Sequence, residues 1–168
     1  MTAIRLFLAA AAACISLSTP SLAEDHPDGM HVHDAYARIS PMSGAVFFII
    51  HNNGTIEDRL VGIRTPLAEK AELHSHTEDA NGVMTMGEIA GGVALPAGEM
   101  HAFERGGDHV MLMGLTGKLN DGDLIPLTLI FESGAEMELQ VPVDNAREPG
   151  DGMADHSGHT MQDAPATD

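Results

Sequence analysis

The chain is poor in thiols, aromatic rings and positive charge. Its only cysteine is Cys14, and it has no tryptophan and one tyrosine. Cys14 lies in a stretch that reads as an export signal. Arg5 precedes the short apolar run begun by Leu6-Phe7-Leu8, and Ser21-Leu22-Ala23 places small residues before a cleavage point. Residues 1–23 are therefore expected to be removed, leaving Glu24 as the mature start. Ala11-Ala12-Ala13 lack the leucine usual three positions before a lipidated cysteine, so cleavage after Ala23 is preferred to lipidation at Cys14. A mature chain without Cys14 has no thiol. Disulfide stabilisation and cysteine catalysis are then excluded.

Long hydrophobic runs are also missing. The first one is too short and too soon broken to span a bilayer, and no later segment is longer, so no stable membrane insertion is expected. Basic residues number 8 against 25 acidic ones, for a net charge of −17, or −18 once Arg5 leaves with the signal (−17 − 1). Such a surface repels nucleic acid and anionic lipid and is compatible with holding cations. No long amphipathic helix, internal repeat or Ser/His/Asp arrangement is discernible.

Present instead are short apolar clusters punctuated by Gly, Pro, Asn and Asp. The pattern predicts strands near His31–Ile39, Ala45–Asn52, Arg59–Thr65, Lys70–His76, Val83–Ile89, His109–Leu115, Leu124–Phe131 and Glu136–Val143. Eight strands without helices argue for an antiparallel sandwich or small barrel spanning residues 24–143. Glu24–Met30 reads as a short polar flank. Residues 144–168, rich in Asp, Gly, Ala, His and Met with no hydrophobic pattern, read as a flexible acidic tail that stays disordered without a partner.

Histidine and methionine are plentiful, at 10 and 11 residues. Their spacing carries the functional reading. Leu73-His74-Ser75-His76, Val83-Met84-Thr85-Met86 and His109-Val110-Met111-Leu112-Met113 each pair soft ligands two residues apart. On a strand such pairs share a face, leaving Leu73, Val83, Val110 and Leu112 to face a core. Met100, Met113 and Met137 are expected at core or edge positions. Thioether sulfur with neutral imidazole suits Cu(I) and is poor for Mg, Ca or Mn.

In order along the chain stand Asp34-Ala35-Tyr36-Ala37-Arg38, Ala45–Ile50 before Asn52-Asn53-Gly54, Asp58-Arg59-Leu60-Val61 and Ala71-Glu72-Leu73-His74. Then come Gly82–Met86, Pro96-Ala97-Gly98, Gly106–Leu115, Gly122-Asp123 and Leu127–Phe131. This series resembles the PCuAC family of periplasmic copper chaperones. The family pattern is His, often Met, ten residues, Met, twenty-one residues, then His-x-Met. Here Ser75 replaces the frequent Met, Tyr36 stands where Trp is common, and 22 residues separate Met86 from His109, the extra one assigned to the turn at Ala90-Gly91-Gly92. The resemblance implies a cupredoxin-like antiparallel Greek-key sandwich with an exposed Cu(I) site made by His74, Met86, His109 and Met111. His76 and Met84 are possible accessory ligands. Met153, His156, His159 and Met161 form a possible tail site, where His and carboxylates could also take Cu(II). His26, Met30, His31 and His33 gather near the other end. The implied recipients are the CuA domain of cytochrome c oxidase subunit II and thiol-based copper-assembly proteins.

Two imidazoles and two thioethers leave Cu(I) with a net charge of +1, and a recipient with paired thiolates would bind it more tightly. The expectation is a non-enzymatic periplasmic carrier that gives its metal away. A copper-buffering or resistance protein without a dedicated recipient is the nearest alternative, and a copper redox enzyme is the third. The missing thiolate excludes a blue-copper centre. A mature start at Glu24 rather than His26 argues against a site built on an N-terminal histidine amine.

Overall fold

A computed structural model describes residues 29–78 and 82–148. Ten strands follow in order: β1 (Met30–Ile39), β2 (Ser43–Asn52), β3 (Asp58–Arg64), β4 (Ala68–Glu78), β5 (Met84–Glu88), β6 (Val93–Leu95), β7 (Met100–Phe103), β8 (Asp108–Leu115), β9 (Leu124–Phe131) and β10 (Glu136–Pro142). They form a six-stranded sheet in the order β1-β2-β8-β4-β5, with β7 also paired to β2, and a four-stranded sheet in the order β10-β9-β3-β6. Every strand pair is antiparallel. The described residues contain no helix.

All eight expected strands are present, with ends shifted by two residues at most. The two additional ones are short. β6 has three residues and β7 four, so neither shows enough alternation to stand out from its Gly- and Pro-rich surroundings.

Alternation explains how the sheets close on each other. In β9, Ile125, Leu127, Leu129 and Phe131 are buried in turn. They meet the inner face of the larger sheet, where Val46, Phe48 and Ile50 of β2 lie beside Leu73, Val110 and Leu112. Phe48 stacks on Phe103 with ring centroids 4.5 Å apart. Val83 departs from the expected core position. It is 54% exposed, because it precedes β5, the outermost strand, whose five residues are all exposed. Met30 departs in the other direction. It opens β1 as a buried core residue rather than ending a polar flank, so it is not an available ligand beside His31. Met137 is buried in the core, and Met100 is exposed on the short strand β7.

Two local features set the shape of the larger sheet. The first is a bulge in β1. His33 pairs with Ile49 and Tyr36 with Phe47, so Asp34 and Ala35 together oppose Phe48. Asp34 takes φ = 61°, a left-handed conformation that Asp tolerates better than most residues. Met30 and Val32 pair with inward-facing Asn52 and Ile50. By simple alternation Tyr36 would follow them inward. The bulge turns it to the outer face beside Phe47. The second feature is Gly92, at φ = 68°, where an added Cβ would lie 2.4 Å from the Leu60 carbonyl oxygen. Gly92→Ala should therefore lower unfolding free energy by about 1–3 kcal/mol in a urea titration, since both backbone strain and a main-chain clash oppose the methyl group. A variant as stable as the parent would show that the turn relaxes freely.

Part of the expected tail belongs to this body. Val143 bridges to Ala37, and the amide of Asp144 donates to the Ala37 carbonyl at 2.8 Å. Arg147 pairs with Asp34 and lies over the Tyr36 ring at 4.5 Å.

Candidate metal centre

Three neighbouring strands, β8, β4 and β5, bring the soft ligands to the outer face of the larger sheet. In β4 the inward Leu73 leaves Glu72, His74 and His76 pointing outward. In β8 the inward Val110 and Leu112 leave His109, Met111 and Met113 on that same outer face. Register then decides who meets whom. His74 stands opposite His109, and Met111 opposite Glu72. Across the hairpin, His76 stands opposite Met86, and Met84 opposite Glu78.

The imidazoles converge. The His76 and His109 rings stack with centroids 4.9 Å apart and planes inclined by 22°. The His74 ring meets His109 edge-on at 6.1 Å. Phe47 backs the cluster at 6.2 Å from His109 and packs at 5.1 Å on Tyr36. These rings cover His109 so well that only 3% of it is exposed, although it lies on the outer face.

The hydrogen bonds leave at least one nitrogen of each ring available. His109 donates Nδ1–H to the Gly107 carbonyl at 3.1 Å, which directs the lone pair to Nε2. His74 uses Nε2 toward Glu72 at 3.2 Å, and Glu72 is itself held by Lys70 at 2.8 Å. The Nδ1 atoms of His74 and His76 are buried without a hydrogen-bond partner. The pKa of His109 is lowered, first because burial penalises its cation and then through the nearby His76 and His74, against the opposing Gly107 hydrogen bond. The pKa of Glu72 is lowered by its hydrogen bonds to Lys70 and then to His74, so it accepts as a carboxylate.

The thioethers are arranged differently from the imidazoles. Met86 is 49% exposed on the edge strand, and Met111 is half-buried on β8. Their partners on β4 are His76 and Glu72, so they flank His74 on opposite sides, about 13 Å apart along the strand at roughly 3.3 Å per residue. Register therefore gathers the three histidines but keeps Met86 and Met111 apart. Met84, 54% exposed, lies one pair further out. Among the described residues no three His, Cys, Asp or Glu side chains form a ready-made metal site, so a third donor beyond paired imidazoles would have to be sulfur or arrive by a ring movement. Met153, His156, His159 and Met161 lie outside the described residues, as does His26.

Sequence reasoning did not assign the Glu72 hydrogen bond, although Glu72 shares the His74 face by simple alternation. It also did not place Phe47 and Tyr36 behind the cluster. For Tyr36 no local signal existed, because the bulge reverses its side.

The family model described as "Putative lipoprotein LpqE-like" matches residues 30–143. The "Putative lipoprotein Lxx21020" of Leifsonia xyli subsp. xyli (strain CTCB07) is 36% identical over 118 residues, covering 69% of this chain and 70% of that one. Among solved structures, the Cu(I) form of DR1885 from Deinococcus radiodurans is 29% identical, with a TM-score of 0.55 over 70% of this chain and 80% of that one. The apo PCuAC domain from PmoF1 superposes with a TM-score of 0.57 at 23% identity, over 69% of this chain and 93% of that one, and so supports the fold. The copper-bound PCuAC domain from PmoF2 does so with a TM-score of 0.57 at 18% identity, over 69% and 92%. By its sequence match across all ten strands described above, the chain belongs to the LpqE-like (PCuAC) family.

Proposed function

We propose that this protein is an extracytoplasmic copper carrier that binds Cu(I) through a pair of imidazoles from the His74, His76 and His109 cluster with a thioether from Met86 or Met111, and passes it to a thiolate-bearing acceptor of the CuA type. The observation that carries this reading is the pair of buried ring nitrogens, His74 Nδ1 and His76 Nδ1, with no hydrogen-bond partner. Leaving a buried polar atom unpaired costs about 1–3 kcal/mol. Two such atoms in one cluster of imidazoles fit a cation as their missing partner. Burial favours the neutral form of His109, which is the protonation state a ligand needs. The related Cu(I) form of DR1885 and the copper-bound PmoF2 domain support copper as the cargo.

The flanking thioethers suit release. An exposed Met86 on an edge strand can leave the ion while imidazoles still hold it, opening a position for an incoming thiolate. The described tail segment, residues 144–148, contains none of the expected tail ligands, so an accessory Cu(II) site there stays part of the proposal only for residues beyond it. The lipoprotein names of the relatives support an extracytoplasmic location, and they make lipidation at Cys14 the alternative to cleavage after Ala23. Mass spectrometry of the mature N-terminus separates the two.

The test is copper transfer. Cu(I)-loaded protein mixed with a reduced, metal-free soluble CuA domain should lose its copper to the paired thiolates, and Met86→Ala should weaken Cu(I) binding on the order of tenfold, about 1.4 kcal/mol. Copper retained by the carrier in the presence of that acceptor would favour a buffering role. Turnover of a redox dye by the loaded protein would favour an enzyme.

A further inference from the structure

Donors of the same chemistry line up a second time on the same sheet face, away from the first cluster. The β1–β2 register sets His31 opposite His51, and the β2–β7 register sets Met100 opposite that same His51. One row therefore crosses three adjacent strands. Its side is fixed by the neighbours of His51. Ile50 and Asn52 are both buried inward, so His51 points outward with its two partners. His33, two residues from His31, lies on the same face.

Directly opposed residues in antiparallel strands have Cβ atoms about 4.5–5.5 Å apart. Imidazoles mounted at that spacing can close on one ion from both sides. Met100 is 66% exposed, and its burial cannot explain it: it contributes no packing to the core cluster. Among the described residues, the side chains of His31, His51 and Met100 make no hydrogen bond, ion pair or ring contact, so their donor atoms are uncommitted.

We propose that His31, His51 and Met100 form a second Cu(I) site. Two neutral imidazoles and a thioether select a soft monovalent ion over Mg or Ca, and no carboxylate in the row makes it attractive to a hard dication. The first cluster lies nearby. Phe47, whose ring is 6.2 Å from that of His109, is four positions from His51 along β2, about 13 Å at roughly 3.3 Å per residue. The two sites share a face, while their ligands come from different strands. The second is more open than the first, since His31 and Met100 are exposed where His109 is buried. It is therefore the weaker and faster-exchanging of the two.

The experiment is an anaerobic Cu(I) titration of the full chain against a chromophoric Cu(I) chelator, comparing the parent with a His31→Ala/Met100→Leu variant. Both changed positions are exposed, so the fold should be retained. The variant should bind one equivalent fewer, with the affinity of the remaining copper within about threefold of the parent. Unchanged stoichiometry and affinity would overturn the site. A second measurement needs no variant: in the parent, the Met100 methyl and His51 ring resonances should shift as Cu(I) is added beyond the first equivalent. Resonances unmoved at saturation would likewise overturn it. The first site is read separately in the same titration through His109→Ala. Loss or survival of that equivalent leaves the outcome for His31, His51 and Met100 distinct.

Discussion

His109→Ala should lower Cu(I) affinity roughly 100-fold or more, at least about 2.7 kcal/mol, because removing only an outer hydrogen-bond partner of a metal ligand already costs 10–100-fold. His109 sits at the centre of the cluster, stacked on His76, edge-on to His74 and aimed by the Gly107 carbonyl. The measurement is competition with a chelator of known Cu(I) affinity. An affinity within threefold of the parent would place the copper elsewhere. The pH dependence should report the same residue. The folded pKa of His109 lies below its ordinary value of 6.5, so the unfolded chain binds the proton more readily than the folded one. The stabilisation from neutral, buried His109 is therefore fully present above pH 6.5 and is lost as pH falls from there through the lowered folded value. Urea unfolding of the metal-free protein should show stability declining over that acid range. The decline should be shallower in His109→Ala. Proton competition for copper at this ligand should likewise set in below pH 6.5, and an affinity flat from pH 8 to pH 5 would mean that imidazole contributes little.

Asn52→Leu should lower stability by about 3 kcal/mol and the thermal midpoint by on the order of 10 °C. Asn52 is 1% exposed at the end of β2. Its Nδ2 donates to the carbonyls of Leu95 at 2.8 Å and Ile56 at 2.9 Å, and its Oδ1 accepts from the Gly54 amide at 3.0 Å. Leu95 belongs to β6 of the opposite sheet, so this single amide joins the two layers and closes the β2–β3 connection. A leucine of similar size would fill the volume and leave all three backbone groups unpaired. The Leu95 carbonyl is the most costly of them, since its bond is the buried one. Thermal and urea unfolding measure the effect, and a loss below 1 kcal/mol would show that water or a local shift replaces the amide.

Asn52 also illustrates how much the chain disclosed in advance. Asn52-Asn53-Gly54 is readable as a turn signal, and the turn is there. That the first of these residues is a buried cross-layer tie is not readable, because Leu95 lies 43 residues away and β6 is too short to announce itself. The candidate metal centre divides in the same way. Alternation alone put His74 with His76 and His109 with Met111, each pair on one face. The pairing of His74 with His109, and the separation of Met86 from Met111 on either side of it, depend on the registers of β4 with β8 and β5. Val83 followed the alternation of its neighbours but sits beyond the edge of the core, a fact about the extent of the opposite sheet rather than about β5.

By itself the sequence determined the all-β character, the scarcity of thiols, the acidic surface and the supply of soft ligands at two-residue spacing. These are local or compositional properties, and the two-residue repeat of an extended strand expresses them without reference to distant parts of the chain. Only the tertiary structure decided which ligands meet and what stands behind them. The bulge at Asp34, held by Arg147 from 113 residues away, turns Tyr36 outward onto Phe47, and Phe47 backs His109. Register and bulges arise from pairings between remote segments, so no window along the chain contains them.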